Sequence, residues 1–170
     1  MDLLKELDGT DCYFEEALSD AVRQLLDAAA EAYGEEGAEL LLLRAFLRAP
    51  DSLTVLVALY RYYFYQHRLR DALEVADRAM RLSGAAIGLS SSWAGLQAGD
   101  FDRQAAASVT MGRFYLFALK GAGYMNMRIG NMELGTAQLR KVRELDAEDR
   151  LGASVLLNVV DFQQGLRAVN

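Results

Sequence analysis

The chain has 170 residues, of which 52% are apolar and 25% are charged, and its formal net charge is −6. A chain of this length and composition buries enough apolar surface to fold as one domain, 1–170, without a disulfide or a structural metal, which excludes a disordered chain. The excess of acidic residues argues against a nucleic-acid groove or an anionic membrane surface as the partner.

Nothing in the sequence is typical of export or membrane insertion. The N-terminus lacks a basic segment followed by an apolar run, and the longest apolar stretches are shorter than the roughly 18 residues of a membrane span. The single cysteine, Cys12, cannot form an internal disulfide, which suits a reducing compartment. We therefore expect a soluble, cytoplasmic protein.

Apolar residues recur at helical spacing through most of the chain. Leu53, Leu56, Leu59 and Tyr63 follow one another at intervals of three or four residues, and β-branched clusters are too short to build a sheet. The only proline, Pro50, separates two such segments. The sequence therefore predicts an all-α fold.

The chain also repeats itself at a spacing of 34 residues. This shift superposes small and apolar residues, pairing Ala38 with Ala72, Leu42 with Ala76 and Ala45 with Ala79. Two helices approach closely only where small side chains meet, so this period is typical of repeated helix pairs. The repeats cover about 19–52 and 53–86, and a third, looser match covers about 116–149.

This pattern resembles the tetratricopeptide repeat (TPR) family, whose packing positions are matched in the second repeat by Leu56, Leu59, Tyr63, Ala72, Ala76 and Ala79. The resemblance implies a TPR-like α-solenoid of antiparallel helix pairs. The third repeat is out of phase, so 87–115 is expected to be an irregular connection. The segment at about 150–166 is expected to form a helix that caps the stack.

Five aromatic residues crowd the first half of the second repeat: Tyr60, Tyr62, Tyr63, Phe64 and Tyr65. Helical spacing places Tyr60 and Tyr63 with the core-facing leucines. The resemblance implies that another face lines a concave groove that binds a partner. The predicted partner-binding residues are Arg23, Val57, Arg61, Phe64, Tyr65, Lys120, Tyr124, Met127 and Arg128.

A groove with aromatic rings beside arginine suits a protein segment, because these side chains supply most of the energy at protein interfaces. The first repeat adds acidic residues to that face, so we expect the partner to be a peptide or an amphipathic helix of mixed charge. Some family members hold a chaperone's C-terminal carboxylate with Lys, Asn and Arg residues. Asp27, Thr54 and Ala58 stand at matching places here, which disfavours a co-chaperone role.

The sequence offers no catalytic, metal or cofactor motif. Its single histidine, His67, lies in a predicted turn and far from Cys12. The glycine-rich segment GAGYMNMRIG matches no phosphate-binding pattern, so Gly121 and Gly123 are interpreted as points of close helix approach. We therefore expect neither an enzyme nor a bound cofactor.

Two functions follow from these observations. The first is an adaptor or dedicated chaperone that binds a partner segment in the groove, and the alternative is a structural subunit that forms homo-oligomers through an apolar end or through 87–115. The segments YRYYFYQHRL, FALKGAGYMNMRIGN and DRLGASVLL also resemble small bacterial repeat proteins that accompany nitrogen-fixation genes. Others of similar size serve type III secretion as chaperones. Both resemblances imply accessory, protein-binding roles.

Overall fold

The structure, a computed structural model, describes residues 16–89 and 92–168. These residues form eight α-helices, one short 3-10 helix (Trp93–Gly95) and no strand, which confirms the predicted all-α class. The single cysteine, Cys12, lies outside the described residues. The helices are α1 (Asp20–Glu31), α2 (Ala38–Arg48), α3 (Leu53–Tyr65), α4 (Leu69–Ala86), α5 (Ala98–Ala105), α6 (Val109–Arg128), α7 (Met132–Leu145) and α8 (Ala153–Ala168).

Serine caps fix where three of the helices begin. The hydroxyl oxygens of Ser19, Ser52 and Ser108 each accept a hydrogen bond from the backbone N–H three residues later. Such a cap satisfies one of the N–H groups that a helix leaves unpaired at its first turn. The starts of α1, α3 and α6 are therefore determined by the local sequence.

Consecutive helices pack side by side from α1 to α4. Short turns join them, so each helix runs antiparallel to the one before it. The alanines predicted as points of close approach are all buried: Ala38, Ala45, Ala72, Ala76 and Ala79. Together with leucines and Tyr63, most of them form a core between the pair α1–α2 and the pair α3–α4.

The segment 87–115 differs from the predicted irregular connection. It contains the 3-10 helix, all of α5 and the first two turns of α6. Helix α6 starts at Val109 rather than near 116, and it packs directly against α4. The 3-10 helix and α5 lie to the side of this contact, where Leu96 and Phe101 join a second core with Tyr115 and Leu119.

The pair formed by α6 and α7 is held at close range by glycines. A Cβ atom on Gly135 would lie 2.5 Å from the carbonyl oxygen of Gly123, and one on Gly123 would lie 3.0 Å from the Leu139 side chain. This confirms the interpretation of Gly123 as a point of close approach. Helix α8 then packs on α7 at the end of the stack. None of the described helices is both long and apolar enough to cross a membrane.

The turn between α3 and α4 has the same geometry as the turn between α6 and α7. Arg68 N–H donates to the Tyr63 carbonyl at 2.9 Å, and Asn131 N–H donates to the Asn126 carbonyl at 2.8 Å. The residue before each donor has positive φ, 56° at His67 and 97° at Gly130. This is the left-handed residue that commonly ends a helix, and it places His67 in an exposed turn, as predicted.

The glycine contact between α6 and α7 is tested by replacing Gly135 with alanine. We expect Gly135→Ala to lower the free energy of unfolding by about 2 kcal/mol or more, because the new methyl group overlaps backbone and the Met127 side chain. Gly99→Ala in α5 is the matched control, since nothing lies within 4 Å of its added Cβ. It should raise stability by about 0.5 kcal/mol. Urea unfolding followed by circular dichroism measures both, and equal effects would contradict the close approach.

Candidate partner-binding surface

One side of α3 remains half exposed after the helices pack. Leu56, Leu59 and Tyr63 point into the core and are buried. Five other residues follow one another along the neighbouring side at spacings of one or three positions, and we call them the α3 strip: Val57, Tyr60, Arg61, Phe64 and Tyr65. The first four are half-buried, whereas Tyr65 is 41% exposed.

Phe64 lies at the centre of a ring cluster that we define as Tyr60, Phe64, Tyr65 and Tyr124. Its ring stacks on Tyr60 with centroids 5.9 Å apart and meets Tyr65 edge-on at 5.8 Å. The Tyr124 ring on α6 lies 6.1 Å away. Each such pair contributes about 0.5–1.5 kcal/mol beyond its buried area, so the cluster ties α3 to α6 and holds its exposed rings in place.

An apolar cleft lies on the α6 side of the strip. This α3–α6 crevice encloses about 50 Å³, and its walls are mostly apolar, with the buried Lys120 as the charged residue among them. The apolar side chains include Leu56, Val57, Tyr60, Val75, Phe114, Phe117 and Ala118. Gly121 lets α6 come near, because a Cβ there would lie 3.0 Å from the Tyr60 hydroxyl. The close approach predicted for Gly121 is confirmed.

A wider groove lies on the other side of the strip, next to α1. We call it the α1–α3 groove, and its residues include Leu26, Ala30, Tyr33, Arg61 and Tyr65. The Tyr33 ring stands edge-on to Tyr62, with centroids 6.2 Å apart. The strip is therefore a ridge between two clefts that both have apolar walls.

Several of the predicted partner-binding residues come together at this ridge. Phe64, Tyr65 and Tyr124 form the ring cluster, Val57 lies at the crevice and Arg61 at the groove. Helical spacing was sufficient to place the α3 residues on one face, because α3 is regular from Leu53 to Tyr65.

The other predicted residues have different surroundings. Arg128 is exposed at the end of α6 and donates a hydrogen bond to the Tyr124 hydroxyl at 2.6 Å. Met127 faces α7, where its side chain lies against Gly135. Arg23 is exposed on α1 and donates to the Leu18 carbonyl at 3.2 Å.

Lys120 is not an accessible contact residue, and its placement on the exposed face was wrong. It is only 1% exposed, and its Nζ donates a hydrogen bond to the carbonyl oxygen of Leu151, in the turn before α8. A buried ammonium group is stable only with such partners. Lys120 therefore joins α6 to the C-terminal end of the stack.

Tyr60 packs against the core, as predicted, and its hydroxyl reaches across to Gly121 on α6. Its ring also lines the crevice, so it belongs to the strip as well. Two further residues that line the clefts were missed by the sequence analysis. Tyr33 is half exposed beyond the end of α1, and Phe114 is buried in the first turns of α6, whose start the Ser108 cap predicts.

The described residues contain no group of three or more His, Cys, Asp or Glu side chains arranged to hold a metal ion. Near α3, the polar side chains form an ion pair whose arginine lies over a tyrosine ring. The Tyr63 hydroxyl donates to Glu39 at 3.1 Å, Arg68 donates to the same carboxylate at 2.7 Å, and the Arg68 guanidinium lies 4.6 Å from the Tyr63 ring centre. This arrangement joins α2 to the beginning of α4.

Burial raises the pKa of four tyrosines, one of which is Tyr33. Burial raises the pKa of Tyr115 to about 12. Burial and the neighbouring Glu39 carboxylate raise the pKa of Tyr63 to about 12, and burial, with a smaller effect of Tyr124, raises the pKa of Tyr60 well above its usual range. In each case the folded protein favours the neutral phenol.

We expect the protein to lose stability between about pH 10 and pH 12. Tyrosines of the unfolded chain ionise near pH 10, so the unfolded state releases protons first and the free energy of unfolding falls as the pH rises toward 12. Tyr115→Phe should make this fall less steep, because one shifted phenol is removed. Urea unfolding of both proteins across this pH range measures the slope, and identical slopes would contradict the assignment.

No family model matches the chain, and no solved structure matches it. A protein of Azotobacter chroococcum mcd 1, named "Uncharacterized 19.8 kDa protein in nifW 5'region", is 45% identical to it over 157 residues. The matched part covers 92% of this chain and 88% of that protein. The similarity thus extends over nearly the whole length of both, and the chain belongs to the same protein family as this A. chroococcum protein.

Proposed function

We propose that the chain is a non-enzymatic protein-binding module, an adaptor or dedicated chaperone that holds a helix or peptide of a partner protein against α3 and α6. The α3 strip carries this proposal. It combines aromatic rings and an arginine, the side chains that dominate protein interfaces, and it lies between two apolar clefts. Exposed apolar surface of this kind is typical of interaction sites.

We further propose that the module is a TPR-like α-solenoid. The repeated turn at His67 and Gly130 supports this, because two helix pairs of different sequence end their first helix with the same hydrogen bonds. The buried alanines of the first two pairs support it as well. In this arrangement α1, α3 and α6 are the first helices of successive pairs and line one concave side.

The relative from Azotobacter chroococcum supplies a biological setting. Its name places it in the 5' region of nifW. We propose that the present chain serves nitrogen fixation, in the cytoplasm, through a protein partner rather than through a cofactor of its own.

A second candidate function is self-association as a structural subunit. Exposed apolar residues favour it at both ends of the described stack. Helix α2 exposes Leu40, Leu43 and Leu47, the last by 79%, and α8 exposes Val155, Val159 and Phe162, the last by 70%. Each set recurs at helical spacing and forms a stripe along its helix.

The main proposal is tested by placing a photo-crosslinking phenylalanine derivative at Val57 in living cells. We expect a discrete covalent adduct with a partner protein, because Val57 lines the crevice and is partly exposed. The same derivative at Glu74 on α4, which faces the groove between α2 and α4, is the control and should give no such adduct. Protein blotting and mass spectrometry of the adducts provide the measurement.

Replacement of the central rings adds a second arm to this experiment. Phe64→Ala with Tyr124→Ala should reduce the Val57 adduct about tenfold or more, since anchor residues of this type carry most of an interface's energy. Circular dichroism must show that the double variant remains folded. The same adduct at both crosslinking positions, or none at either, would reject the proposed surface.

Self-association is tested separately with Leu47→Glu and Phe162→Glu in one variant. If the main proposal holds, sedimentation velocity should show monomers for both the wild-type protein and the variant across a wide range of concentration. A wild-type oligomer that the variant dissolves would favour the structural subunit instead, because both substitutions place a charge on an apolar stripe.

A further inference from the structure

The two helices that form the candidate surface differ in charge from the rest of the chain. The chain contains 18 basic and 24 acidic residues. Helices α3 and α6 contain four of the basic residues and none of the acidic ones: Arg61, Arg113, Lys120 and Arg128. By contrast, α1 has three acidic residues and one basic residue. The two helices of the ridge thus carry a net positive charge in an acidic protein.

Two of these cations lie on opposite sides of the ring cluster. Arg61 lines the α1–α3 groove. Arg128 is at the α6 side, where its guanidinium group lies 5.6 Å from the centre of the Tyr124 ring. Lys120 is buried, and Arg113 lines a different depression next to α5. A ligand lying over the rings would therefore meet arginine at both of its long edges.

The shape of the surface favours a helical ligand. The described residues contain no strand, so an extended peptide has no sheet edge to join, and binding must rely on side chains. The α3–α6 crevice is small and apolar, and it has room for the end of one aliphatic side chain. From Val57 to Tyr65 the strip extends about 12 Å, which matches two turns of a helix.

We infer that the α3–α6 surface binds an acidic amphipathic helix of a partner protein. Its apolar row lies on the ring cluster and places one aliphatic side chain in the crevice, while carboxylates along its edges pair with Arg61 and Arg128. This inference rests on the proposed function and specifies the chemistry of the partner. The positive charges of Arg61 and Arg128 exclude basic helices, because they repel them.

Two synthetic helices test the chemistry directly. Both have about 18 residues and the same row of leucines, but one carries glutamate beside this row and the other carries lysine. Fluorescence anisotropy with the full-length protein measures each affinity. We expect the glutamate helix to bind about tenfold or more tightly than the lysine helix at low salt, and the difference to shrink at high salt.

Substitutions in the protein connect this preference to the two arginines. Arg61→Glu with Arg128→Glu should abolish or reverse the preference. Arg70→Glu with Arg81→Glu on α4 makes the same change in net charge away from the ridge and should leave the preference intact. An equal effect of both pairs would mean that only the net charge matters, and would overturn the inference.

Filling the crevice tests the anchor. Ala118→Leu places extra carbon atoms among the crevice residues and should weaken the glutamate helix about tenfold, whereas Ala137→Leu on the exposed side of α7 should not. Circular dichroism checks that both variants are folded. Equal binding by the two variants would show that the crevice takes no side chain.

The outcomes separate the inference from the proposed function. If crosslinks form at Val57 but the lysine helix binds as well as the glutamate helix, or neither binds, the inferred chemistry is wrong and the surface stands. If crosslinks are absent and neither helix binds, both are wrong. A change in oligomeric state on Arg61→Glu with Arg128→Glu would make a second copy of the chain the occupant and would also overturn the inference.

Discussion

The structure depends on how closely α6 approaches the helices around it. Glycines make four close contacts between α6 and its neighbours. Three of these glycines are on α6, and an added Cβ would lie within about 3 Å of other atoms at each: Gly112 against Ala105, Gly121 against Tyr60, and Gly123 against α7. The fourth contact is made from the other side, where Gly84 of α4 accepts the Tyr115 ring. Helix α6 therefore has little freedom to turn about its axis or to slide, because its backbone, rather than flexible side chains, makes several of these contacts.

The candidate surface is a consequence of this position. Close approach at Gly121 brings α6 near enough for Tyr124 to meet Phe64, and the crevice lined by Phe117 and Val57 lies beside this contact. The cations follow from sequence alone, since α3 and α6 lack acidic residues. Shape and charge thus arise on the same two helices for separate reasons. This coincidence is what makes the surface suited to one class of ligand.

Much of the fold can be predicted from short-range patterns. The spacing of Ala38, Ala45, Ala72 and Ala76 predicts the contacts of the first two pairs, because small residues at a fixed period have one simple explanation. The beginning of α6 could not be predicted from that period, since α5 is inserted and changes the phase. A local signal, the Ser108 cap, would have been the better guide.

The prediction for Lys120 fails for a different reason. A lysine on a helix is normally exposed. Lys120 donates to a backbone carbonyl 31 residues further along the chain, and no sequence pattern predicts this contact. Residues whose environment is set by distant backbone are the ones that sequence reasoning places wrongly, while the regular α3 face is placed well.

The bond between Lys120 and Leu151 makes the two ends of the stack unequal. If the turn before α8 moved away, the buried Lys120 would lose this hydrogen bond. Helix α2 presents its leucines to solvent at the other end. Fraying, which usually begins at the termini of a repeat array, is thus opposed at the C-terminal end, and local unfolding there is coupled to the helix that carries half of the candidate surface.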